Sequence, residues 1–150
     1  MAHTSSNILV HLIFSTKQRL ALIAPDMKAG LFAYIGGIVR QHHGVAVLVN
    51  GTADHVHMLL RMPTDHSTAE MARIIKANSS KWVHEKWPDH AQFGWQTGYG
   101  AFSVSASNAE AVTKYIAEQE VHHQTRSFQE EFVAFLKKNG VSYDERYIWS

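Results

Sequence analysis

Apolar and polar positions along the chain change period several times, and each change marks an element. From Asn7 to Thr16, NILVHLIFST is apolar and β-branched, and Lys17-Gln18-Arg19 ends the run with polar residues, so a strand is predicted there. Between Pro25 and His43, residues Met27, Leu31, Ile35, Ile38 and Val39 recur at near-helical spacing. Pro25-Asp26 suits the start of that helix and Gly44 the residue just past its end, while Gly36-Gly37 weakens its middle. VAVLVNG (Val45 to Gly51) and HVHMLLRM (His55 to Met62) flank the turn-rich Gly51-Thr52-Ala53-Asp54 and read as a hairpin closed by Pro63.

Three stretches have the spacing of a capping box, in which a serine and a glutamate satisfy each other's free backbone amides. Ser67 to Glu70 opens a helix running to about Lys86; Ser107 to Glu110 opens one from Ala109 to about His123; Ser127 to Glu130 opens one that stops at Gly140. Before the second of these, GYGAFSVS (Gly98 to Ser105) reads as a strand of aromatic and small residues. The order is β-α-β-β-α-β followed by two helices, which is the α+β, ferredoxin-like (RRM-like) split βαβ pattern: a four-stranded antiparallel sheet with two helices on one face.

Composition narrows the class. The chain has 150 residues, 45% apolar and 18% charged, which fits one globular domain over 1–150. The absence of cysteine removes disulfides, thiolate metal sites and cysteine nucleophiles, and makes a cytoplasmic location the expectation. The first apolar run holds a histidine and follows no basic stretch, so neither a leader nor a membrane span is expected. A net charge of +1 allows nucleic-acid binding without demanding it.

Within ADHVHMLL, strand alternation turns Val56, Met58 and Leu60 to one face and His55, His57 and Leu59 to the other. Two imidazoles side by side suit two ligands of one metal ion, and equally two half-exposed histidines making hydrogen bonds. A further ligand must come from another element. In KYIAEQEVHH, Tyr115 and Gln119 lie four apart on one helical face with His122 three further along, while Val112, Ile116 and His123 mark an adjacent stripe. A tyrosine beside a metal is a candidate nucleophile, and His122 a nearby group for its proton; by itself Tyr115 reads as a packing residue. On the C-terminal helix, Phe128, Phe132, Phe135 and Leu136 form an apolar packing face.

Taken together these residues resemble the single-tyrosine HUH transposases of small bacterial insertion sequences, TnpA-like proteins with relatives associated with repetitive extragenic palindromes. HLIFSTKQR is similar to the family's first strand, DHVHMLL to its His-hydrophobic-His strand, IIKANSSKW to its second helix, FGWQTGYGAFSVS to the segment leading into its fourth strand, and YIAEQEVHH to its catalytic helix. Ala53 departs from the proline many members carry there.

The resemblance implies that His55, His57 and Gln119 hold a divalent metal, Mg²⁺ or Mn²⁺, in a weak, open site of two imidazoles and one amide oxygen with no carboxylate required, and that Tyr115 is the nucleophile, its helix covering the sheet face opposite the first two helices. Tyr115 would attack a phosphodiester of single-stranded DNA, leaving a 5′-phosphotyrosine and a free 3′-hydroxyl and needing no nucleotide cofactor. It further implies hairpin DNA as partner and a homodimer in which one subunit's tyrosine can complete the other's site. Lys76, Lys81, Lys17, Arg19 and Arg73 are the leading DNA-contact candidates, with Arg61 and Lys114 behind them and Trp82, Trp95 or Tyr99 available for stacking. A domesticated hairpin or single-strand binder of the same fold is the competing expectation.

Overall fold

The structure, a computed structural model, describes residues 3–150. Met1 and Ala2, which belong to the expected 1–150 domain and to the stretch read for a leader, lie outside the described residues. No described helix is long and apolar enough to cross a membrane.

The strands are β1 (Leu9–Ser15), β2 (Val45–Gly51), β3 (His55–Arg61) and β4 (Gly100–Val104). They form one antiparallel sheet in the order β2-β3-β1-β4, the split βαβ arrangement expected from the element order. Helices α1 (Pro25–Gln41) and α2 (Thr68–Lys86) cover one face. Val10, Leu12, Phe14, Val56, Met58 and Leu60 meet Met27, Leu31, Ile35, Met71 and Ile75 there in the main core. The Gly36-Gly37 pair does not break α1, since tertiary burial outweighs its low helix propensity. At the C-terminal end of α1 the left-handed residue is His43 (φ 70°), not Gly44. Gly44 serves space instead: a β-carbon there would lie 3.0 Å from Val39 Cγ1 and 3.1 Å from the Arg61 carbonyl oxygen.

The opposite face carries His11, Ile13, His55, His57 and Leu59, brought level by the β1–β3 register of Ile13 with His57 and His11 with Leu59. Three more helices cover it: α3 (Ala109–Ala117), α4 (Gln119–His122) and α5 (Phe128–Lys138). Two small apolar clusters hold them down. Leu9, Leu59 and Ile116 seat α3, and Ile13, Phe102, Phe128, Phe132 and Leu136 seat α5. Gly100 is required for the second, because a β-carbon there would stand 2.5 Å from Phe132 Cε1.

Two of the three expected capping boxes form, at Ser67/Glu70 and Ser127/Glu130. The third does not. Residues Ala106–Asn108 make a 3₁₀ turn ahead of α3, and Ser107 Oγ pairs with Ser105 Oγ. The single helix expected from Ala109 to His123 is also broken, at Glu118. The break frees the carbonyls of Ile116 and Ala117, and Asn50 Nδ2 on β2 supplies the missing donor at 2.9 and 3.3 Å.

Candidate metal and nucleophile site

Between the two apolar clusters lies a buried polar group assembled from four elements. β3 contributes His55 and His57, α3 Tyr115, α4 Gln119 and α5 Glu131; both histidines, Gln119 and Glu131 are fully buried. His123, just past α4, completes it: one ligand atom from each of His55, His57, His123 and Glu131 lies within 4.8 Å of the others. The sequence expectation brought His55, His57, Gln119 and Tyr115 together, and the structure does so within one chain.

Glu131 was not anticipated, and it replaces the expected carboxylate-free site. Its Oε1 accepts from His57 Nε2 at 2.7 Å and His123 Nε2 at 3.1 Å; its Oε2 accepts from Gln119 Nε2 at 3.4 Å and from the Tyr115 hydroxyl. Burial pushes its carboxyl up, but the hydrogen bond from His57, together with that of the Tyr115 hydroxyl, outweighs burial and holds it well below the usual carboxylate range. Burial in turn keeps His57 neutral, its pKa pulled down to about 4.

Each imidazole is oriented from behind. His55 Nδ1 donates to Asp54 Oδ1 at 2.8 Å, and Thr52 Oγ1 ties that carboxylate at 3.0 Å. His57 Nδ1 pairs with His11 Nε2 at 2.8 Å. Burial, then the charge of His57, pulls His11 down to about 3. A carboxylate behind a ligating histidine fixes its tautomer and directs the other nitrogen at an ion, which is the arrangement of Asp54 and His55. His11 was legible only as a histidine interrupting the first strand.

The donor set fits a divalent cation on a specific observation. In the tautomer that carries a single proton, on Nδ1 and donated to Asp54, His55 turns an Nε2 lone pair to the Gln119 carbonyl oxygen at 3.0 Å. Turning the amide over would set that oxygen against the Glu131 carboxylate instead. Either way two acceptors meet. A cation between them removes the conflict, and octahedral ligands about 2.1 Å from Mg²⁺ stand about 3 Å apart.

Tyr115 is a phenol in this arrangement. Burial and then the Glu131 hydrogen bond push its pKa well above the ordinary tyrosine value, while the hydrogen bond from Arg126 Nη2 at 3.1 Å partly offsets them. His122 stacks on the Tyr115 ring, centroids 4.3 Å apart and planes 20° apart, and its Nε2 has no hydrogen-bond partner among the described residues. The group holding the hydroxyl proton is therefore Glu131, not His122.

The DNA-contact candidates are scattered. Lys17, Lys81, Arg73, Arg61 and Lys114 are exposed and Arg19 is half-buried. Lys17 and Arg19 share a groove of about 940 Å³ with His84, Trp95 and Trp149. Gln18 and Arg19, both at φ 57°, hold a left-handed turn at its edge. Lys76 is turned inward, donating to the carbonyls of Gln96, Thr97 and Gly98 at 3.0, 3.0 and 2.5 Å. Trp82 stacks on Tyr34, Trp95 packs against Phe14 and Phe93, and Tyr99 is exposed.

Comparison with known proteins converges on one group. A family profile described as IS200-like transposase matches residues 4–119. The transposase for insertion sequence element IS200 of Salmonella typhimurium is 28% identical over 129 residues, covering 79% of this chain and 81% of the relative. The ISDra2 transposase TnpA of Deinococcus radiodurans is 24% identical over 114 residues, covering 73% and 81%. Among solved structures, a Deinococcus radiodurans R1 protein described as a transposase superposes with a TM-score of 0.63 at 22% identity, covering 79% of this chain and 95% of that one. A REP-associated tyrosine transposase bound to a REP hairpin superposes at 0.58 and 15% identity, covering 82% and 74%. At these identities the structural likeness establishes the fold.

Proposed function

The chain belongs to the IS200-like transposase family, and on that premise we propose that it is a metal-dependent DNA strand transferase whose nucleophile is Tyr115. The observation that carries this reading is the Tyr115 hydroxyl on Glu131, beside the buried His55/His57/Gln119 group of the same chain. His55, His57, Gln119 and Glu131 would hold Mg²⁺ or Mn²⁺, with His123 alongside. Such an ion, when bound, polarises a phosphate oxygen and offsets charge at the attacked and leaving oxygens.

The remaining chemistry falls to the side chains. Tyr115 Oη forms a bond to phosphorus of a single-stranded phosphodiester as the P–O3′ bond breaks. The hydroxyl proton passes to Glu131, already its acceptor, and the departing 3′-oxygen takes a proton from solvent. The product is a 5′-phosphotyrosine and a free 3′-hydroxyl. Attack by a 3′-hydroxyl at a new junction reverses the step, so rejoining needs no nucleotide cofactor. Hairpin DNA is the proposed partner, with Lys17, Arg19, Arg73 and Lys81 on the outer surface as phosphate contacts and Trp95 at the Lys17/Arg19 groove. A homodimer would bring two such centres to two strand ends; neither needs the other's tyrosine.

To test this, the protein is incubated with Mn²⁺ and single-stranded hairpin oligonucleotides from the DNA flanking its gene, then run on a denaturing gel. A DNA–protein adduct is expected with wild type and absent with Tyr115→Phe. Equal adduct from both overturns the reading.

A further inference from the structure

On the solvent side of Tyr115, α3 and α5 leave a groove of about 340 Å³, at the small end of ligand pockets. His11 and Phe135 line it together with Asn108 and Val112, and Arg126 and Lys138 supply two cations. No acidic residue lines it among the described residues, and neither Arg126 nor Lys138 makes an ion pair there. The nearest carboxylate on the Tyr115 hydroxyl is Glu131, whose charge is engaged by His57 and His123. Arg126 Nη2 lies 3.1 Å from Tyr115 Oη, whose own O–H is donated to Glu131.

We propose that this groove is a subsite for the reacting strand: Arg126 is a catalytic residue that holds the scissile phosphate against Tyr115 Oη, and Lys138 binds the adjoining phosphate. The proposal rests on the reading of Tyr115 as nucleophile. An arginine fork has N–H groups to spare after one bond to the tyrosine oxygen, and its planar spacing matches two phosphate oxygens. A phosphorus in line for attack by Oη carries non-bridging oxygens within reach of that same guanidinium. Charge spreads onto those oxygens as the Oη–P bond forms, so the contact strengthens on the way to the transition state. Phe135 and Val112 supply the apolar surface a flanking sugar and base require.

Two measurements test it, on single-stranded oligonucleotides from the DNA flanking the gene. In the first, adduct formation with Mn²⁺ is timed. Arg126→Ala is expected to slow it about 100-fold or more and Arg126→Lys to recover part of the rate, with the Mn²⁺-induced rise in melting temperature unchanged. A merely structural arginine would lower the thermal shift or be indifferent to lysine. In the second, binding is followed by fluorescence anisotropy against salt in a Tyr115→Phe background. Lys138→Ala, a surface change, is expected to weaken affinity several-fold and reduce the log–log salt slope by about 0.7, the value for one phosphate on a single strand. Wild-type adduct rates in Arg126→Ala, or an unchanged salt slope in Lys138→Ala, overturn the subsite. If the wild-type chain forms no adduct, the nucleophile reading fails alone. The subsite is then judged by binding, and affinity and slope unchanged in both Arg126→Ala and Lys138→Ala overturn it.

Discussion

The Tyr115 hydroxyl donates to Glu131 Oε2 across sixteen residues of chain and a helix break. Each residue reaches the site on its own separately seated element. α3 is seated by Ile116 on Leu59, α5 by Phe128 and Phe132 on the β1–β4 side, and the polar contact closes between them.

Glu131 carries the formal charge at the centre of the site, so Glu131→Gln should weaken Mn²⁺ binding by about 10- to 100-fold, and Asp54→Ala, behind His55, by a similar factor. Isothermal titration with Mn²⁺ measures both. Affinities equal to wild type would remove Glu131 from the ligand set.

Because Tyr115 meets the histidines of its own chain, the site is expected to work in cis. A mixture of His57→Ala and Tyr115→Phe chains, each inactive alone, should then form no adduct. Recovery of activity on mixing would show that subunits exchange tyrosine helices.

His11 and His57 have folded-state pKa values of about 3 and about 4, below the 6.5 of the unfolded chain. Between those limits the unfolded chain binds more protons, so stability falls as pH drops below about 6.5. The melting temperature of the metal-free protein should fall steadily from pH 6.5 to pH 4. His11→Gln, which keeps a hydrogen-bonding group for His57 but cannot titrate, should flatten that slope. An unchanged slope would mean that His11 does not carry the acid sensitivity.

Gly100→Ala would drive a methyl to 2.5 Å from the Phe132 ring. Overpacking of this kind costs about 1–3 kcal/mol, and the strain falls on α5. Chemical denaturation should show the loss of stability, and Mn²⁺ affinity should fall with it because Glu131 rides on the same helix. Full Mn²⁺ affinity in a destabilised Gly100→Ala would mean that α5 can shift without moving Glu131.

The sheet was readable from sequence because its two faces differ chemically: alternation in HVHMLL separates core from ligands, and the strand order follows from the element order. The C-terminal helix was readable as a packing element, but Glu131 looked like one of two first-turn acids beside a capping serine. Its signal was positional. It lies three residues after Phe128 and four before Phe135, on the apolar stripe, where an isolated carboxylate is costly without partners. His11 could not be assigned without the β1–β3 register that sets it beside His57. The carbonyls freed by the Glu118 break are met by Asn50, sixty-six residues before Ile116, and no local pattern encodes that contact.

His57 is bonded to His11, 46 residues earlier, and to Glu131, 74 residues later. Synthesis from the N-terminus therefore delivers the two β3 histidines long before the carboxylate that joins them. A growing chain still lacking α5 has its tyrosine without the partner that orients it. On the proposed reading the centre is complete only when translation has passed Glu131 and α5 has docked, so a chain cut short before α5 holds the β3 histidines without the carboxylate that joins them.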